Sequence, residues 1–104
     1  GEQPKFAMPM ATAMLYTHFY RILKYEALLQ QNPRPDVATK TKILSVAPFF
    51  FAEYEQAVRN YPLPKCIRII SLLEEYDYKG KGGDGGEINY KQLMVELVSK
   101  IVNV

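Results

Sequence analysis

Two proline-containing breaks and a glycine-rich segment divide this chain into blocks of apolar residues, and that division limits what it can fold into. Residues 33–35 and 62–64 each carry two prolines, which disfavour helical backbone in the residue before them. In residues 80–86 five of seven are glycine, which predicts a surface loop. No run alternates apolar and polar residues between turn signals. The sequence therefore predicts an all-α fold, a single five-helix bundle in one domain over residues 1–104.

The first block predicts the longest helix, over residues 7–31, because its apolar residues recur every three or four positions. Asp36 is predicted to cap a short second helix that passes through Ile43 and Leu44. The apolar positions of the first helix are Met8, Ala11, Met14, Leu15, His18, Phe19, Ile22, Leu23, Tyr25 and Leu29.

Pro48 is predicted to be the first residue of a third helix, which reaches about Asn60. Pro64 is predicted to begin a fourth helix, which reaches about Lys79 and has Gly80 as its C-terminal cap. The inward residues predicted for these two helices are Phe50, Phe51, Tyr54, Ala57 and Val58, then Ile67, Ile69, Ile70, Leu72 and Leu73, while Glu53, Glu55 and Arg59 are predicted to face water.

Asn89 is predicted to cap the last helix, with Gln92 completing a capping box. Its predicted inward residues are Leu93, Met94, Leu97, Val98 and Ile101.

Charge and cysteine content narrow the class of protein. The net charge of +2, from 13 basic and 11 acidic residues, is too small and dispersed to define a strong polyanion-binding surface. A single cysteine, Cys66, in an apolar run indicates a buried thiol in a reducing, cytoplasmic compartment. No apolar stretch approaches the ~18 residues of a membrane span. The absence of an initiating methionine leads us to expect a fragment of a longer chain.

The glycine-rich segment lacks the residues that cofactor or metal binding would need. Residues 80–83 follow a helix and contain no Lys-Ser/Thr pair, which argues against a phosphate-binding loop. If Gly86 were the invariant glycine of a calcium-binding EF-hand loop, no carboxylate would fall at ligand positions one, three, five or twelve. We therefore expect no cofactor and no metal ion, and a flexible connector instead.

No catalytic residue is predicted. His18, the single histidine, lies on the apolar stripe of the first helix, where a core or interface role is expected. Cys66 has no histidine near it in sequence, and its aliphatic surroundings would raise the thiol pKa. The acidic residues Glu74, Glu75 and Asp77 are expected to form a solvated face.

Around residues 45–47 the sequence predicts a short helix, a tight turn and a second helix. This is the outline of a helix-turn-helix DNA-binding domain. The second of these helices begins Pro48-Phe49-Phe50-Phe51-Ala52-Glu53, however, with apolar groups and a carboxylate where DNA contacts need polar or basic ones. DNA binding through such an element is kept as the alternative function, and an enzyme fragment whose active site lies elsewhere as a third.

Three segments carry a resemblance to a known family: Ser45-Val46-Ala47-Pro48-Phe49-Phe50, Tyr54-Glu55-Gln56-Ala57-Val58-Arg59-Asn60-Tyr61, and the leucine-rich run from Ile69 to Gly82. Through them residues 44–80 resemble the C-terminal collar domain of the bacterial DNA polymerase III delta subunit. The order of the long first and last helices extends the resemblance over about residues 6–102, and the glycine insertion at 80–86 departs from it.

The resemblance implies a non-catalytic clamp-loader domain that joins other subunits, of the gamma/tau and delta prime type, in a ring that loads the sliding clamp onto DNA. DNA would be contacted only indirectly, and no membrane is involved. The residues themselves also favour protein–protein contact, because aromatic side chains exceed what a small core hides and are favoured at interfaces. The candidate partner interface consists of Tyr16, Phe19, Tyr20, Phe49, Tyr61 and Tyr76.

Overall fold

The computed structural model describes residues 4–83, 85 and 88–104, and the side chains from residue 10 onward. Its helices are α1 (Pro4–Gln31), α2 (Val37–Leu44), α3 (Phe51–Asn60), α4 (Leu63–Gly80) and α5 (Tyr90–Val102), with a 3₁₀ helix at Pro48–Phe50. Across the described residues there is no strand. Over this described part of the chain, the predicted all-α fold of five helices is confirmed.

The chain divides into two compact units. The central unit is His18–Ile67, and the terminal unit combines Gly1–Thr17 with Arg68–Val104. Helices α1 and α4 each contribute residues to both units. A single domain over residues 1–104 stays a prediction.

In the central unit, local capping fixes the bounds of α2. The Asp36 carboxylate accepts a hydrogen bond of 2.8 Å from the backbone N–H of Thr39, which confirms the predicted N-cap. At the other end Ser45 adopts left-handed backbone with φ 57°, and its N–H donates to the carbonyl of Thr41 at 2.8 Å. The buried apolar residues of this unit are Phe19, Ile22, Tyr25, Leu44, Phe51, Tyr54, Ala57 and Cys66.

The third helix begins differently from the prediction. Pro48 opens a 3₁₀ turn rather than the first turn of α3, and the α-helix starts at Phe51. A 3₁₀ helix has three residues per turn, so the direction of Phe50 does not follow the α-helical register. Phe51, Tyr54 and Ala57 are buried as predicted, whereas Phe50 is 47% exposed and its predicted inward position was wrong.

The buried line of α4 runs through Cys66, Ile69, Leu73 and Tyr76, at helical spacings of three and four. Ile67 follows Cys66 by one residue, which turns it about 100° away from that line. It is 51% exposed, so its predicted inward position was wrong.

For the same geometric reason, one residue predicted to face inward in each of α1 and α5 is exposed. Leu97 is the buried residue of α5, and Val98, one position further, is half exposed. In α1 Thr12 is buried, and Met14, two positions on and on the opposite side of the helix, is exposed. Met8 lies among the residues whose side chains are not described.

Helix α4 ends in a Schellman motif, in which Gly82 rather than Gly80 supplies the left-handed residue. Gly82 has φ +83°, and its N–H donates to the carbonyl of Lys79 at 3.1 Å. The N–H of Gly83 donates to the carbonyl of Tyr78 at 2.9 Å. Gly80 is the last residue of the helix itself, so the predicted cap lay two residues too early. Of the predicted loop, residues 84 and 86 lie outside the described residues.

Helix α5 begins with half of the predicted capping box. The Asn89 side chain accepts a hydrogen bond of 3.0 Å from the backbone N–H of Gln92. The Gln92 side chain donates instead to Glu96 at 3.1 Å. The Asn89 cap is confirmed, and the reciprocal bond that would complete the capping box is replaced by a contact one turn further along the helix.

Candidate functional site

The six aromatic residues predicted to form a partner interface occupy three different environments. Phe19 and Tyr76 are buried, Tyr16 and Tyr61 are half-buried, and Tyr20 and Phe49 are exposed. Phe19 and Tyr76 each pack inside their own unit.

Phe19 belongs to the interior of the central unit. Its ring packs edge to face on Tyr61 with a centroid separation of 5.1 Å, and His18 lies edge on to it at 5.3 Å. The Lys65 ammonium lies 5.6 Å from the Tyr61 ring. Phe19 is therefore an internal aromatic that holds Tyr61 in place, and it does not lie on the surface of the central unit.

Tyr76 belongs to the interior of the terminal unit. Its hydroxyl donates to the Glu96 carboxylate at 3.1 Å. The ammonium groups of Lys79 and Lys100 lie 4.8 Å and 5.1 Å from its ring. The ring is completely buried and its hydroxyl is paired, so Tyr76 does not lie on the surface of the terminal unit.

Phe49 is the most exposed large apolar residue described, with 87% of its surface in contact with solvent. Its ring stacks edge to face on Phe50 at a centroid distance of 5.3 Å. We call residues Pro48–Phe50 the phenylalanine turn. Sequence reasoning selected Phe49 and missed Phe50, and the three successive phenylalanines at 49–51 were the signal that one helix face could not bury them all.

A second cluster in the central unit surrounds the Glu55 carboxylate, which was predicted to face water. Glu55 Oε2 lies 3.0 Å from the Lys40 ammonium and accepts a longer bond of 3.4 Å from the Tyr25 hydroxyl. Burial raises the pKa of Tyr25, and the hydrogen bond to Glu55 raises the pKa of Lys40. Both donors therefore stay protonated, and the cluster ties α1, α2 and α3 together as a structural element.

The other ionisable side chains singled out in the sequence have structural surroundings. His18 is half-buried with its ring 5.4 Å from that of Tyr54, and burial lowers its pKa. The predicted buried thiol of Cys66 is confirmed, and burial first, then Glu26, raises its pKa to about 12.

The acidic end of α4 is paired with lysines one turn further along the chain. Glu75 lies 3.1 Å from Lys79, and Asp77 lies 2.9 Å from Lys81. Glu74 is exposed. Among the described residues, no three His, Cys, Asp or Glu side chains are grouped so that they could hold a metal ion.

The outline of a helix-turn-helix is present in α2, the residue 45–47 turn and α3. The exposed side chains at the start of α3 are Phe50, Ala52 and Glu53. The Lys40 ammonium of α2 forms an ion pair with the Glu55 carboxylate. None of these groups is suited to reading a base edge or a phosphate. Polar and basic side chains are exposed further along α3, at Gln56, Arg59 and Asn60.

Comparison with protein-family models, with curated proteins and with solved structures found no significant match. Within the described residues, no helix combines the length and the apolar character needed to cross a membrane.

Proposed function

We propose that this chain is a non-catalytic assembly domain of a cytoplasmic clamp loader, similar to the collar domain of the bacterial DNA polymerase III delta subunit. It would associate with subunits of the gamma/tau and delta prime type in the ring that loads the sliding clamp onto DNA. Support comes from the resemblance of residues 44–80 and from the all-α fold, which is the fold class that the resemblance implies.

The phenylalanine turn is the observation that carries the proposal of assembly. A phenyl ring that is 87% exposed gains free energy when a partner covers it, because its apolar surface leaves water. The turn lies inside the block that carries the resemblance, in the segment Ser45-Val46-Ala47-Pro48-Phe49-Phe50. Pro48 fixes its own φ angle, so the rings are held in a turn that is already formed.

Phe49 also suits substitution, since its loss removes no buried contact from the central unit. Exposed residues of this kind change the free energy of unfolding little when they are replaced. An anchor aromatic at a protein interface, by contrast, contributes about 2 kcal/mol or more to binding. A substitution at Phe49 can therefore separate association from folding.

The test is retention of the purified chain by immobilised gamma/tau and delta prime subunits from the same source, followed by titration to obtain Kd. We expect the unaltered chain to bind and Phe49→Ser to weaken binding by about tenfold or more. The matched control is Val95→Ser, which replaces another exposed apolar side chain on α5 of the terminal unit.

A labelled DNA duplex at low salt provides the competing measurement. If the folded chain binds DNA but none of the subunits, the collar assignment is rejected in favour of the helix-turn-helix alternative. If the subunits bind and Phe49→Ser has no more effect than Val95→Ser, the collar assignment stands and the phenylalanine turn is not its contact.

A further inference from the structure

A groove of about 360 Å³ lies in the central unit, beside the break between α1 and α2. Half-buried Leu29 and Val58 and the buried Pro35 give it an apolar lining. Exposed Arg34, from the segment after α1, and exposed Arg59, from α3, contribute guanidinium groups from two different elements. The groove thus combines aliphatic surface with exposed cationic side chains.

The single acidic group that lines the groove is already neutralised. The Glu55 carboxylate lies 3.0 Å from the Lys40 ammonium and accepts the Tyr25 hydroxyl at 3.4 Å. Arg59 uses one N–H to bond the Gln56 side chain at 2.9 Å, which leaves further donors of its five for a ligand. The positive charge of Arg34 and Arg59 is therefore not balanced by a carboxylate within the groove lining.

We propose that this groove binds a short acidic segment of a partner protein, with an aliphatic side chain against Leu29 and Val58 and a carboxylate paired with Arg34 and Arg59. The planar guanidinium matches a carboxylate with two parallel hydrogen bonds, which a point charge such as lysine does not provide. Because Leu29 and Val58 line the groove, the bound segment also needs a leucine-like residue next to its acidic residue.

A nucleic acid fits the same groove less well. Backbone binding to nucleic acid gains its free energy from several phosphate contacts along a cationic track, and single strands also stack on exposed aromatic rings. Here Arg34 and Arg59 are the two cations that no carboxylate of the lining balances, and Tyr25, the aromatic residue of the lining, is buried. The proposal rests on this groove alone and does not depend on the clamp-loader assignment.

The test uses the full chain and a fluorescein-labelled Gly-Ser peptide that carries paired glutamates beside a leucine, with binding followed by fluorescence anisotropy. We expect saturable binding that weakens as salt is added. The double substitution Arg34→Gln with Arg59→Gln is expected to raise Kd by about tenfold or more, because it removes both charged donors. Arg68→Gln, an exposed arginine of α4 outside the groove lining, is the matched control and should leave Kd unchanged.

Two altered peptides test the same proposal on the unaltered chain, so that it does not depend on the stability of the variants. Glutamine in place of glutamate, or serine in place of leucine, should each raise Kd by about tenfold. The proposal is overturned if the glutamate peptide does not bind, or if the serine peptide binds as tightly as the leucine peptide. It is also overturned if a single-stranded oligonucleotide binds more tightly and loses affinity in the double variant, since the groove would then be a nucleic-acid site.

Discussion

The Cys66 thiol donates a hydrogen bond to the Glu26 carboxylate, with the sulfur 3.5 Å from Oε2. The sulfur also lies 3.4 Å from the carbonyl oxygen of Tyr61. Burial raises the pKa of both acids, since it disfavours the thiolate and the carboxylate alike. The thiol is thereby held protonated between two acceptors.

This pairing predicts that Cys66 does not react in the folded chain. With a pKa of about 12 and a completely buried sulfur, the thiolate population near pH 8 is negligible. We expect Ellman's reagent to react only as fast as the chain unfolds, and rapidly in denaturant. Because Cys66 is the single cysteine, the absorbance reports this site alone. Rapid stoichiometric reaction in native buffer would contradict the prediction.

The pKa of His18 predicts the direction in which the free energy of unfolding changes with pH. Burial first, then Arg21, lowers its pKa below the ordinary value of 6.5, against an opposing effect of Glu53. The unfolded chain therefore takes up the proton at a higher pH than the folded chain does. The free energy of unfolding should decrease as pH falls through 6.5 toward the lower folded pKa.

NMR titration checks this prediction directly, since the chain has one histidine and its ring signals cannot be confused with others. We expect a midpoint below 6.5 in the folded chain and near 6.5 in urea. His18→Gln should flatten the dependence of stability on pH in this window. A folded midpoint at or above 6.5 would show that the charge of Glu53 outweighs burial.

Ser45 offers a stabilising substitution. It holds φ 57°, a left-handed conformation that costs a residue with a Cβ atom about 1 kcal/mol and glycine very little. Ser45→Gly should therefore raise the free energy of unfolding by about 0.5–1 kcal/mol, measured by urea titration. Ala47→Gly is the matched control, because Ala47 has φ −67° and glycine there should only lower stability. An equal loss in both variants would refute the argument from backbone strain.

At Gly82 the opposite result is expected, because a substitution there should destabilise the fold. A Cβ atom there would meet the Ile88 side chain at an ordinary 3.6 Å, so space is available and the cost comes from φ +83°. Gly82→Ala should lower the free energy of unfolding by about 1 kcal/mol in urea titration, and Gly82→Asn by less. Gly83→Ala tests space instead, since its methyl group would overlap the Tyr78 ring. If Gly82→Ala had no effect, the Schellman motif would not limit the stability of α4.

Local chemistry made much of this fold predictable from the sequence. Proline and glycine mark the breaks at residues 33–35, 62–64 and 80–86, although Pro9 lies inside α1. Asp36 and Asn89 cap the helices that begin immediately after them. These effects act within a few residues, so the sequence carries them directly. The cap was predicted at Gly80 and lies at Gly82, because several nearby glycines can each adopt left-handed backbone and the sequence does not distinguish them.

The surfaces were less predictable, because burial depends on residues distant in the chain. Phe19 and Phe49 look alike in sequence, yet one packs on Tyr61 and the other lies in solvent. The groove was missed for the same reason. Its arginines belong to the segment after α1 and to α3, and only tertiary folding brings Arg34 and Arg59 to one place.

The phenylalanine turn also has a consequence for how the isolated chain behaves in concentrated solution. Two neighbouring phenyl rings, one of them almost fully hydrated, are a site through which copies of the chain can adhere to each other when no other surface is offered. Such adhesion becomes stronger on mild warming and persists in salt, as expected for contacts that carry no charge. Handling the protein at low concentration therefore limits adhesion between copies and leaves the two rings accessible.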